Sequence, residues 1–172
     1  KERRVRRIVS KFGIKKGMTV IEAGAGSGQF TPFILERTNK VTLVDISDKM
    51  LKTAKKNLKG KNIKFMNSSV SKMRIKTNSV DRVVCFNSFP HFYPKQKVIK
   101  EFSRVLKKKG ILIISHTVSR EYINKIHKGH AFDMKKHNLP KKAELKSMLE
   151  IAGFRLNLYY NGNYYILRAV KM

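Results

Sequence analysis

The chain has 172 residues, 41% of them hydrophobic, with 39 Lys and Arg against 11 Asp and Glu, a formal charge of +28, one cysteine and no tryptophan. That length suits one domain, and apolar residues gathered in blocks such as 41–44 and 111–114 exclude wholesale disorder. Short apolar runs and a basic amino terminus without an apolar stretch behind it argue against a membrane span and a secretory signal, and the lone Cys85, lacking a disulfide or zinc partner, suits the reducing cytoplasm.

Residues 1–12 read as a basic amphipathic helix with Val5, Ile8, Val9 and Phe12 on one side, a flank or lid on a single domain spanning 1–172. Residues 18–23 form a short strand that enters a glycine cluster, and 29–37 follow as a helix with Phe30, Phe33 and Ile34 at core spacing. A second strand over 41–44 ends at Asp45. Ser47 or Asp48 caps the next helix, which turns Met50, Leu51, Ala54 and Leu58 inward and stops at Gly60. Residues 63–66 and 81–86 are two further strands. Pro94 opens a helix whose Val98, Ile99, Phe102, Val105 and Leu106 share a face and which Gly110 closes, ahead of a fifth strand over 111–115. Strands alternating with helices predict a parallel sheet with right-handed crossovers and both faces covered. The ending departs from that pattern. A helix over 140–152 precedes two β-rich runs, 154–160 and 164–170, joined by Asn161-Gly162-Asn163, the signal of an antiparallel hairpin.

Gly24, Gly26 and Gly28 lie between the first strand and its helix, where missing side chains let backbone N–H groups approach a ligand. Asp45 stands 17 residues after Gly28, at the end of the second strand, where a carboxylate can accept from both hydroxyls of a ribose. Together they point to a cofactor of adenosine type; taken as structure alone, they make a tight turn and a helix cap. The dinucleotide fingerprint wants its third glycine one position later, where Gln29 stands.

The G-x-G-x-G spacing behind Glu22, LVDISDKML around Asp45, SVDRVVCFNSFPHF, EFSRVLKKKGILIISHT and the terminal hairpin resemble the class I S-adenosylmethionine-dependent methyltransferases over nearly the whole chain. LVDISDKML and RVLKKKG are most similar to the broad subgroup that methylates small molecules and quinone-type acceptors. The resemblance implies a Rossmann-like, doubly wound α/β fold, with a mostly parallel seven-stranded sheet and a C-terminal antiparallel hairpin. It also implies S-adenosylmethionine as cofactor and S-adenosylhomocysteine as product. On that resemblance Gly24, Ala25, Gly26 and Gly28 wrap the methionine and ribose portion, and Glu22 bonds the loop or the amino group. Asp45 holds the ribose hydroxyls, while Ile46 and Met50 lie against the adenine. The acid that the family places after its third strand is missing; Ser69 stands there beside Val70, and its hydroxyl or the local backbone takes the adenine amino group. Asn87 closes the methionine side.

The acceptor is less legible. His91 and His116 sit at the carboxyl ends of the fourth and fifth strands, where a near-neutral imidazole can take a proton from a hydroxyl, amine or thiol; each can equally bond loop backbone. His116, His127, His130 and Asp133 are too thin a set for a metal, and none is expected. Phe86, Phe89, Phe92, Tyr93, Tyr122 and Phe132 are candidates either for an acceptor wall or for core. The charge suggests nucleic acid, yet 28 of the 39 cations are Lys and they recur along the chain. Asn87-Ser88-Phe89-Pro90 lacks the Pro-Pro-aromatic run common in methyltransferases that act on base amines, although VIEAGAGSGQFT is somewhat similar to the first motif of certain RNA methyltransferases. The expectation is a cytoplasmic small-molecule methyltransferase with nonspecific, salt-sensitive contact to nucleic acid. An RNA methyltransferase using the basic helix and the Lys-rich face, and a non-catalytic cofactor-binding module, stand as alternatives.

Overall fold

The computed structural model describes residues 2–128 and 137–172. Seven strands form one sheet: β1 (Thr19–Ala23), β2 (Lys40–Asp45), β3 (Ile63–Asn67), β4 (Val80–Phe86), β5 (Leu106–His116), β6 (Phe154–Asn161) and β7 (Tyr165–Lys171). Their spatial order is β3-β2-β1-β4-β5-β7-β6. The first five pair in parallel, and β7 pairs antiparallel with both β5 and β6. The sheet is the doubly wound α/β arrangement with a terminal hairpin that the motifs predict.

Among the described residues six α-helices cover it: α1 (Glu2–Val9), α2 (Thr31–Leu35), α3 (Asp48–Asn57), α4 (Lys95–Val105), α5 (Arg120–Lys128) and α6 (Lys142–Ile151). Alternation along each strand sorts side chains between two cores. Ile21, Val83, Cys85, Leu112 and Ile114 face α4 and α6 through Val98, Ile99, Phe102, Leu145 and Leu149. Val20, Val84, Ile111 and Ile113 face α1, α2 and α3 through Val5, Ile8, Ile34, Leu51 and Ala54. The basic helix is thus tied down by its apolar stripe, as its spacing predicts. Among the described residues, no helix is long and apolar enough to cross a membrane.

Three local expectations change. The helix over 29–37 shrinks to the five residues of α2. The helix after Pro94 stops at Val105, short of Gly110, because Leu106 crosses over to pair with Val80. The backbone then turns back through Lys109 at φ 64°, and Gly110 fits because a Cβ there would stand 2.7 Å from the Lys107 carbonyl oxygen. Met50 does not turn inward with Leu51 and Ala54: it is 48% exposed.

Phe102 is fully buried between Phe92 and the α4-side core. Phe102→Ala is expected to cost about 3–5 kcal/mol through lost burial and an unfilled cavity. Urea unfolding should show a lower midpoint with an unchanged slope.

Candidate cofactor and acceptor site

The order of strands reverses between β1 and β4, so their connections leave on opposite faces and a cleft opens at the carboxyl edge. The glycine loop crosses this edge in a conformation that non-glycine residues rarely adopt. Gly24 has φ 68°, and a Cβ there would meet the Ser88 Cβ at 2.8 Å and the Phe92 ring at 2.9 Å. Gly28 is closed in by Leu58 in the same way, at 2.8 Å. Gly26 differs: a Cβ there would meet nothing within 4 Å, and the residue opens into the cleft.

The loop amides are spent inside the protein. Gly24 and Ala25 N–H both donate to the Val44 carbonyl, at 2.8 and 3.2 Å, and Gly28 N–H donates to Ala25 O at 3.0 Å. Gly26 N–H donates to Asp45 Oδ2 at 2.8 Å. This corrects the expectation that these amides approach a ligand. The loop contributes space and shape, and a loop with its amides engaged is no phosphate cradle.

Asp45 accepts on its other oxygen from Ser47 N–H at 2.9 Å, and Ser47 Oγ in turn caps α3 by accepting from Met50 N–H. Each Asp45 oxygen keeps a lone pair for a further donor. Asn67 Nδ2 donates to the carbonyls of Asp45 and Ile46, which fixes the strand end.

Two cavities adjoin here. The first, about 480 Å³, is lined by Gly24, Gly26, Asp45, Ile46, Met50, Ser69, Val70 and Asn87, together with Ser88, His91, Phe92, Tyr93 and Val98. Eight of the eleven residues expected at the cofactor are brought together there. Ile46 is 76% exposed beside it, an apolar flank with no core to join. Ser69 Oγ lies 2.9 Å from Ser71 Oγ. The second cavity, about 620 Å³, shares Gly26, Met50 and Asn87 with the first and adds Glu22, Ala25, Phe30, Phe33, Phe86, Thr117 and, from α1, Glu2 and Val5. Phe30 stacks on Phe86 with ring centroids 3.7 Å apart, giving this cavity an aromatic wall. Gly28 lines neither cavity; its place in the motif is a packing requirement against α3.

Glu22 is buried, and Thr31 Oγ1 donates to its Oε2 at 2.8 Å. Burial pushes its carboxyl from the ordinary 4.5 up to about 8, against a smaller lowering by the Thr31 hydrogen bond. Near neutral pH it is therefore largely an uncharged acid. Asn87, at φ 54°, uses its side-chain oxygen to accept from Thr117 N–H and its own N–H to reach Ser115 O.

The two histidines part company. His91 lines the first cavity, and its pKa is lowered by burial and then by His127, His137 and Lys95 nearby. His116 is 3% exposed on β5, its ring 6.1 Å from that of Tyr165, and it lines neither cavity. Burial takes its pKa down to about 3, and its Nε2 has no hydrogen-bond partner among the described residues. Neither histidine reaches the second cavity. Of the candidate aromatics, Phe86 walls the second cavity, Phe92 and Tyr93 the first, and Phe89 is core. Tyr122 is exposed, and lines neither cavity. Phe132, with the His130 and Asp133 of the thin metal set, lies outside the described residues. Among the described residues no group of three or more His, Cys, Asp or Glu is placed to hold a metal.

Lys95 went unmarked in the sequence. It is 7% exposed, and its Nζ donates to the carbonyls of Pro90 and Phe92 at 3.3 Å, bracing the turn that carries His91 and Phe92. Burial lowers its pKa to about 8, partly opposed by Glu144. No spacing rule marks such a lysine. Phe30 and Phe33 likewise went unmarked as cavity wall, because helical apolar spacing reads as core.

A family model described as a methyltransferase domain matches residues 14–153. Among curated relatives, an uncharacterized methyltransferase, YdaC of Bacillus subtilis, is 29% identical over 104 residues, 59% of this chain and 58% of that protein. The ubiquinone/menaquinone biosynthesis C-methyltransferase UbiE of Haemophilus ducreyi is 26% identical, with 87% of this chain and 69% of that one covered. The chain therefore spans somewhat over half the length of the first of these relatives and about two thirds of the second. A crystal structure of an S-adenosylmethionine-dependent methyltransferase from Aquifex aeolicus shares the fold, with a TM-score of 0.76 at 24% identity over 98% of this chain and 89% of that one.

Glu22 generates a pH prediction. Its folded pKa stands above its unfolded value, so the native state holds the extra proton, and stability present below about 4.5 is lost as pH rises toward about 8. Glu22→Gln keeps an acceptor for Thr31 but cannot ionise. Urea midpoints measured from about pH 5 to about pH 8 should fall for the parent and fall less for this variant.

Proposed function

The chain belongs to the methyltransferase-domain family, with S-adenosylmethionine as its cofactor, and we propose that it transfers the methyl group to a small, largely apolar or aromatic molecule. The observation that carries this reading is the pair of adjoining cavities that share Gly26, Met50 and Asn87. The first suits the cofactor. Asp45 offers carboxylate lone pairs to ribose hydroxyls, Ile46 and Met50 offer apolar flanks for a purine, and Gly26 leaves its side-chain space to the ligand. Engagement of the loop amides favours a cofactor without phosphate over a dinucleotide. Ser69 and Val70 edge the adenine end, Asn87 stands where the two cavities meet, toward the methionine end, and Ala25 and Glu22 lie just beyond it in the second cavity.

The second cavity suits the acceptor. Phe30, Phe33, Phe86 and Val5 offer it apolar surface, and the curated relative UbiE carries the name of a C-methyltransferase of quinone biosynthesis. When bound, the cofactor supplies a methyl carbon on a positively charged sulfur, open to displacement. The residues of this chain bind both partners, exclude water and align them, and alignment can supply about 7–11 kcal/mol of such a barrier. The positions of the histidines move His91 to the cofactor side and leave His116 as buried structure. Neither is assigned the acceptor's proton.

Two measurements test the reading. Calorimetry with S-adenosylmethionine should show binding lost in Gly26→Val; because a side chain is strained at φ 55° even in open space, circular dichroism and a urea midpoint check in parallel that the variant is folded. Asp45→Asn, which keeps one acceptor for the loop, should weaken affinity by about 1.5–3 kcal/mol, the scale for a hydrogen bond to a charged group. Affinities within error of the parent would remove the cofactor assignment. When cell extract is incubated with methyl-tritiated cofactor and the protein, label should appear in ribonuclease-resistant, solvent-extractable material; label confined to RNA would overturn the small-molecule acceptor.

A further inference from the structure

The α1 helix presents different residues to two separate cavities. Glu2 and Val5 line the second cavity of the cleft. Arg3, Arg4, Arg7 and Ile8 line another cavity, about 630 Å³, closed from the opposite side by Asn163 and Tyr164 at the β6–β7 turn. Steps of about 100° per residue explain the division, since positions 3, 4 and 7 fall on one side of a helix and 2 and 5 on the other.

The arginine cavity gathers three guanidinium groups in one concave place. Across the described residues, carboxylates pair with cations at Arg6–Glu36, Lys52–Asp48, Arg104–Glu101, Lys107–Asp81, Arg120–Glu121 and Lys146–Glu150; none of Arg3, Arg4 and Arg7 is in such a pair. No carboxylate lines the cavity among the described residues. Arg4 is partly ordered already, its Nη2 donating to the Asn163 carbonyl at 3.1 Å, which leaves its other N–H groups to point elsewhere. Tyr164 lies beside the arginines with its ring 4.5 Å from that of Tyr160, which is 41% exposed. Tyr160 is steadied by its hydroxyl, which donates to Asn163 Oδ1 at 3.0 Å. Planar guanidinium groups suit phosphate oxygens, and an aromatic pair at their edge suits a base face.

We infer that the concave surface between Arg3, Arg4 and Arg7 of α1 and Tyr164 of the terminal hairpin, with Tyr160 packed against Tyr164, binds the backbone of single-stranded nucleic acid. This goes beyond the methyl-transfer reading and does not depend on it. The bound strand is a docking partner, not the methyl acceptor, because the arginine side of α1 faces away from the cleft. A site of this kind also differs from diffuse attraction by the lysines. Three guanidiniums around one cavity engage adjacent phosphates in a fixed arrangement, whereas scattered ammonium groups attract any polyanion by charge alone.

The test uses fluorescence anisotropy with a labelled oligouridylate of about ten nucleotides, within the span such sites cover. An Arg3→Gln, Arg4→Gln, Arg7→Gln variant is compared with a Lys59→Gln, Lys61→Gln, Lys64→Gln variant that removes the same charge from exposed positions elsewhere. At about 0.1 M salt the arginine variant should lose at least about tenfold in affinity, and its slope of log K against log salt should become shallower by about 2, three contacts at about 0.7 each. The lysine variant should lose less than about threefold. Tyr164→Leu should lose about fivefold or more with its salt slope unchanged, since stacking releases no counterions. Equal losses in the two triple variants, or polyglutamate competing as well as unlabelled RNA, would overturn the site in favour of diffuse charge. Cofactor affinity, followed in parallel, should be unchanged in all three variants, so failure here is separable from failure of the methyl-transfer reading.

Discussion

The carboxyl edge of the sheet depends on one closure, the clamping of the β1 loop onto the end of β2. The Val44 carbonyl takes the N–H groups of Gly24 and Ala25, and the Asp45 carboxylate takes that of Gly26. These bonds hold a run of glycines in left-handed backbone that would otherwise carry a large entropy cost. With the loop clamped, the reversal of strand order between β1 and β4 leaves a cleft whose floor is backbone and whose sides are Asp45, Asn87 and the β4–α4 turn. Ser88 ties that turn back to the loop, its Oγ donating to the Ala23 carbonyl at 2.8 Å. Loop, strand end and turn are thus one unit, and Gly26 is the point at which it opens toward a ligand.

Charge is distributed around that unit in a way the total conceals. The cleft contains the Asp45 carboxylate and one buried acid, Glu22, that burial keeps largely protonated near neutral pH. A cationic cofactor meets no cluster of lysines there. The excess cations are spread over exposed helix faces, strand ends and turns, and the 11 acids are too few to pair them. Long side chains in water cost little to leave unpaired, so most of this surplus is compatible with the fold without directing it. Arg3, Arg4 and Arg7, three of the four arginines of α1, are the exception, because the terminal hairpin closes over them and makes a concavity.

Much of the fold was legible. Alternation of short apolar strands with amphipathic helices, the Asn-Gly turn at 161–162 and the Ser47 cap all report on local backbone preferences that tertiary packing reinforces. Where local preference and long-range pairing compete, the reading slips. Leu106 shares the apolar spacing of α4, but its backbone bonds to β4 across the sheet, and no periodicity records that pairing. Met50 and Phe33 fail for a related reason: a helical apolar residue looks the same in sequence whether it meets core or a cavity. The cofactor side of the site was similarly legible, since glycines and a strand-end acid are dictated by backbone geometry. The second cavity was not, because it is built from α1, the loop, α2, β4 and the start of the segment after β5, residues far apart in the chain.

By itself the sequence determined the sheet architecture, the family resemblance and the residues of the loop, because each rests on short-range backbone chemistry with recognisable spacing. The tertiary structure decided which groups are buried and what they face. It turned the amides of Gly24, Ala25, Gly26 and Gly28 inward, removed His116 from either cleft cavity, kept Glu22 largely protonated near neutral pH, brought Lys95 under the β4–α4 turn and set three arginines against Tyr164. Burial and proximity set protonation state and ligand access, and both arise only when distant segments pack.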